Sequence, residues 1–137
     1  MGILLIFPLL TFPAVVYALL AATHGAGVTD YLATQVFSID MAGGGKWVLT
    51  HGHLYIIFAI LCLFIEIIKS VRPTTQAMID LSLSVGLFVI LLIVFILVPG
   101  FGTTEFFLIM LMSILDFMAG AIVMVSSAKR TVEYDRH

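Results

Sequence analysis

Asp116 is the residue least at home in its surroundings. It lies within the apolar run Phe106 to Val125, which holds no other charged residue. A carboxyl group near the middle of a bilayer costs about 2.5–3.5 kcal/mol on insertion scales, so such a group normally faces a protein interior and has a task there. Ser113, Asp116, Gly120 and Ser127 fall at i, i+3, i+7 and i+14, on one face of a helix. Thr11, in the first apolar segment, is expected at a similar depth. Such an acid has three possible uses. It can be a protonatable step in a proton or cation path. It can be a buried hydrogen-bonding group held by Ser113, Thr11 or a carbonyl freed by Pro13. It can also touch a helix of another subunit.

A second group of chemically capable residues is Thr50-His51-Gly52-His53. Two histidines two positions apart on a helix point about 200° from each other, so a regular helix does not let them share one metal. His24 and Glu105 are expected at the same end of the molecule, with Asp30 and Asp40 in the loop between the first two apolar segments. A divalent metal held by His51, His53 and Glu105 is one chemistry this rim allows. A b-type haem between His24 and His51 or His53 is another. Neither has a ligand spacing of known specificity behind it, so the expected cofactor content is none.

A third group is Glu66 and Lys69, spaced i, i+3 for an ion pair, with Asp80 and Arg72 close by. Nucleophilic catalysis finds no footing: there is no G-x-S-x-G turn and no usable Cys–His pair. Gly43-Gly44-Gly45-Lys46 lacks both the spacing and the following Ser or Thr of a phosphate loop. The reading is therefore of a non-enzyme.

The elements that must position these residues follow from composition. Of 137 residues, 62% are hydrophobic and 10% charged, against about a quarter charged in a soluble domain. Lipid is the expected main solvent. A span needs about 20 mostly apolar residues, and four segments qualify, at about 3–22, 48–68, 78–98 and 104–127. The expected architecture is an all-α integral membrane protein, a four-transmembrane-helix bundle forming a single domain over 1–137. Val28, Tyr31, Leu32, Val36 and Ile39 recur at helical spacing, which predicts a short interfacial helix over about 28–41. Gly43-Gly44-Gly45 ends it and Lys46-Trp47 marks the membrane surface. Pro8 and Pro13 are expected to kink the first span. Ala14, Ala18 and Ala22 give it a small-residue face for close helix approach. In the third span, Ser82 and Gly86 form a small-xxx-small pair. Thr103 or Thr104 caps the fourth.

Lys69, Arg72, Lys129, Arg130 and Arg136 fall on one side of these spans and only Lys46 on the other. The positive-inside rule then places both termini in the cytoplasm, in a bacterial inner membrane. The net charge of −2 offers no basic surface for nucleic acid. The single cysteine, Cys62, cannot form an intramolecular disulfide. The expected partners are the lipid bilayer and other membrane subunits, or a second copy. The leading functional expectation is a non-catalytic accessory, scaffold or assembly subunit of a larger membrane complex, respiratory and photosynthetic assemblies being candidates. The alternatives are a haem- or metal-binding redox protein using His24, His51 and His53, and a proton-coupled transporter or channel using Asp116.

Overall fold

The computed structural model describes residues 7–70 and 75–134. The expected start of the first span at Ile3, and the basic residues Arg72 and Arg136, lie outside them. Helix α1 (Thr11–His24) passes through a 3-10 turn at Gly25–Gly27 into the short helix α2 (Val28–Ala33). Strands β1 (Gln35–Asp40) and β2 (Lys46–Thr50) form an antiparallel hairpin, which runs directly into α3 (His51–Ser70). Helices α4 (Thr75–Leu97) and α5 (Thr104–Tyr134) complete the chain. Four stretches, Thr11–Ala33, His51–Ser70, Met78–Leu97 and Thr104–Arg130, are long and apolar enough to cross a membrane. The chain is thus an integral membrane protein by length and composition of its helices.

Helix α5 packs along both α3 and α4, and α1 lies against α3 and α5. The shared core holds Leu10 just before α1, Tyr17 of α1, Val28 and Leu32 of α2, Tyr55 and Ala59 of α3, Leu91 of α4, and Phe106, Ile109, Met110 and Met112 of α5. Little hydrophobic force drives helices together in lipid, so contact geometry and interhelical hydrogen bonds must hold such a bundle. The aromatic cluster shows the first: Tyr17 meets Phe106 at 4.9 Å and Phe101 at 5.3 Å between ring centroids.

Two expectations about local structure are corrected. The interfacial helix predicted over 28–41 is realised only over Val28–Ala33, and residues 35–40 are a strand. Val36 and Ile39 fit helical spacing by coincidence. Phe37, Ile39 and Met41 also alternate, the β-rich run Trp47–Thr50 lies opposite, and Gly44 takes the turn position at φ 83°, which favours glycine. Pro13 does not interrupt a helix. It is the third residue of α1, where a missing N–H leaves no hydrogen bond unmade.

The third span faces inward by a stripe other than the one expected. Ser82 is exposed and a Cβ on Gly86 would meet open space. Asp80, Ser84 and Leu91, at i, i+4 and i+11, are buried instead. Across from them, Gly120 of α5 abuts Leu81: an added Cβ would sit 3.3 Å from Leu81 Cδ1, the far end of a mobile side chain. Gly120→Ala is therefore expected to be nearly neutral. Gly120→Leu is expected to cost about 1–3 kcal/mol by overpacking. Unfolding of both variants in detergent would check this. A Gly120→Leu protein of unchanged stability would place that face against something other than α4.

Candidate functional site

The buried ion-paired groups gather at the end of the bundle opposite the hairpin, where α3 ends and α4 begins. Glu66 is four residues from the end of α3 and is fully buried (0% exposed). Its Oε2 accepts a hydrogen bond from Leu9 N at 2.7 Å, and its Oε1 pairs with Lys69 Nζ at 2.7 Å. The carboxylate so placed satisfies a free amide at the start of α1, where the helix dipole also favours negative charge. Lys69 Nζ further donates to Phe7 O and to Asp80 Oδ1, both at 3.0 Å. One ammonium therefore joins the segment leading into α1, the end of α3 and the beginning of α4.

The chain of contacts continues one turn along α4. Ser84 Oγ donates to Asp116 Oδ2 at 2.7 Å. Asp116 is buried as expected, but its partner is Ser84 rather than Ser113 or Thr11. Ser113 is fully buried and donates to Met110 O within its own helix. Thr11 is the first residue of α1, at the termini end and not at mid-depth. Ser84 shares the Asp80 face of α4 and lies about 14 Å from the start of that helix at 1.5 Å per residue, and the antiparallel packing of α4 and α5 sets it level with Asp116. Between Asp80, Ser84 and Asp116, beside Gly120, a space of about 10 Å³ remains, enough for one water molecule.

At the hairpin end, the histidines are taken up by local contacts. His24 stacks on Tyr31 at 4.1 Å between centroids, and Tyr31 stacks on His51 at 4.6 Å. The Tyr31 ring thus occupies the space that a haem between these two imidazoles would need. His24 Nδ1 donates to Leu20 O at 3.1 Å, and His51 Nδ1 donates to Thr34 O at 3.2 Å. Thr50 and His53 form a reciprocal cap at the start of α3: His53 N donates to Thr50 Oγ1 and Thr50 N donates to His53 Nδ1. This is the pattern of a capping box with histidine in the usual Glu or Gln position. It was legible as Thr50-x-x-His53.

Glu105, in the first turn of α5, lies against Gly52, where a Cβ would come within 2.8 Å of its Oε1. The missing side chain at Gly52 makes that approach possible. Thr103 caps α5, its Oγ1 accepting from Phe106 N at 3.3 Å. Among the described residues, no three His, Cys, Asp or Glu side chains converge as a metal-ligand set.

The arrangement ties helices together. Glu66 and Lys69 link α3 to the start of α1, Lys69 links α3 to α4, and Ser84 with Asp116 links α4 to α5. Nearer the hairpin, Tyr55 Oη donates to Pro13 O at 2.8 Å, and Tyr17 Oη donates to Gly100 O at 3.0 Å and meets Thr103 Oγ1. Comparison with protein-family models, with curated proteins and with solved structures finds no match to this chain.

Proposed function

We propose that this protein is a non-catalytic accessory or scaffold subunit of a larger membrane assembly. The observation that carries this reading is the use of its intramembrane ionisable groups. Lys69, Asp80 and Asp116 each bond to a different helix of the same chain, and Glu66 bonds to Lys69 and to the segment that leads into α1. The chemistry a transporter or redox protein would direct at a ligand is engaged here in holding the bundle. What the molecule offers outward is apolar. Phe64 of α3 and Ile96 and Leu97 of α4 are each more than 60% exposed. Ala18 and Ala22, two of the three alanines on the small-residue face of α1, are exposed as well, so that face is open to a neighbouring helix. An open cleft of about 760 Å³ lies beside it, between Ala21, Gly25 and Val28 on one wall and Phe95 to Pro99 on the other.

The proton-path reading has less support. The polar chain reaches Asp116 from the termini end. Beyond it, toward the hairpin, Ser113 turns back onto Met110 O of its own helix, Met112, Ile109 and Phe106 follow, and the hydroxyls of Tyr55 and Tyr17 bond to backbone carbonyls. None of these bonds continues the chain from Asp116, whereas a relay needs linked polar groups across the whole bilayer. The same proposal takes the membrane to be a bacterial inner membrane with the termini end on its cytoplasmic side, an orientation supported by the concentration of Lys and Arg at that end.

Purification from native membranes in mild detergent tests the subunit reading. One or more membrane proteins are expected at fixed stoichiometry. Ala18→Leu is expected to lower their recovery without changing the unfolding midpoint of the isolated chain. Isolation of the protein alone, under conditions that keep other membrane complexes intact, would overturn it.

A further inference from the structure

The hairpin has two unlike faces. Directly opposed residues in an antiparallel pair point to the same side. The register pairs Phe37 with Leu49 and Ile39 with Trp47 on one face, and Ser38 with Val48 and Asp40 with Lys46 on the other. The first face is wholly apolar. It is rooted in the bundle at Leu49, which is 5% exposed, and continues outward through Phe37, Ile39 and Trp47, each between 42% and 49% exposed. Phe37 and Trp47 meet edge to face at 6.1 Å, so the exposed part is one contiguous patch. The second face carries the Asp40–Lys46 ion pair, both side chains standing in the open.

The height of this patch is fixed. β2 passes into α3 with no intervening residue, and His51 clamps the root by donating from both N and Nδ1 to Thr34 O. Strands rise about 3.3 Å per residue, so Trp47 is within about 13 Å of the first residue of a membrane span. The exposed apolar surface of that span begins one turn further on, at Leu54 and Ile57. The hairpin patch and the lipid-facing surface are thus consecutive along the chain.

We propose that the hairpin is a lipid-binding element, with Phe37, Ile39 and Trp47 seated among the headgroups and upper acyl chains of the leaflet at its own end of the bundle. Trp and other aromatic side chains settle at that depth because the ring is apolar and its N–H can still find water or a headgroup. Amphipathic surface elements bury their apolar side about 5–10 Å into the same zone. The opposite face, where Ser38 and Val48 sit beside the exposed Asp40–Lys46 ion pair, is left to water, and its balanced charges give no preference for charged lipid. The proposal does not depend on whether the protein joins a larger assembly.

Trp47 is the only tryptophan in the chain, so its intrinsic fluorescence reports the hairpin without any substitution. The full protein would be reconstituted into phosphatidylcholine vesicles, some with lipid brominated near the top of the acyl chain, and iodide would be added from outside to a sample with access to both orientations. The expected result is blue-shifted emission, loss of most of it with brominated lipid and little loss with iodide. Strong quenching by iodide with no response to bromine would mean that the hairpin stands in water. Emission insensitive to both quenchers would mean that protein, a second copy included, covers the patch. Either outcome overturns the proposal.

Discussion

Lys69→Met is expected to destabilise the bundle by about 3–5 kcal/mol, the usual consequence of removing one member of a buried ion pair. The side chains of Glu66 and Asp80 are almost wholly buried, and Lys69 is the cation paired with each of them. Its loss leaves two carboxyls facing each other across α3 and α4 without a counter-charge, and Phe7 O without its donor. A second variant separates this electrostatic cause from lost packing. In Glu66→Gln/Lys69→Met/Asp80→Asn the charges go together, while Gln keeps an acceptor for Leu9 N. Replacing whole buried ionic groups is often neutral, so the triple variant should recover most of the stability that Lys69→Met loses. Equilibrium unfolding by increasing fractions of denaturing detergent in mild micelles measures both. A Lys69→Met protein within about 1 kcal/mol of the parent would show that the cluster is solvated and not a buried tie.

The parts of this arrangement that the sequence disclosed are those written as long-range apolar periodicity or as charges at fixed spacing. All four spans were legible as apolar runs, although the first continues past residue 22 to Ala33, and the Glu66–Lys69 pair with Asp80 beside it was legible as charges in a short connection. Asp116 was legible as a buried acid because the run around it contains nothing else charged. Its partner was not, because a single serine such as Ser84 is as common on a lipid-facing surface as in a core. Only the antiparallel pairing of α4 and α5 raises Ser84 to the level of Asp116. The contacts of the histidines were hidden for a different reason. Their type is shared by ligands and by caps, and His53 reads as a ligand until Thr50 is seen to complete a reciprocal cap. The hairpin was obscured by its own first strand, in which Val36 and Ile39 satisfy a helical period while Phe37, Ile39 and Met41 satisfy a period of two. Six residues are too few for one period to exclude the other.

Tyr17→Ala is expected to cost about 3–5 kcal/mol, as truncation of a large buried aromatic does. Tyr17→Phe should cost less, nearer the 1–3 kcal/mol of a buried polar group left unsatisfied. The ring of Tyr17 is fully buried and touches Tyr55, Phe101 and Phe106, which come from α3, from the turn before α5 and from α5 itself. Removing it opens a void at the one point where these three segments and α1 converge. Lipid offers no strong alternative drive to close the gap, since acyl chains are as apolar as the rings around it. The hydroxyl has a narrower task. It supplies a donor to Gly100 O, beside the φ 87° turn that starts α5, and meets Thr103 Oγ1, the cap of that helix. Tyr17→Phe therefore loosens the beginning of α5, and with it the seat of Glu105 against Gly52, while leaving the aromatic cluster in place. The two variants should accordingly differ in kind. Tyr17→Ala should lower the unfolding midpoint of the whole bundle. Tyr17→Phe should chiefly raise amide exchange over Phe101 to Phe107. Equal losses from both would assign the contribution to the hydroxyl and its polar contacts, and would remove the aromatic cluster from the account of what holds α1 to the rest.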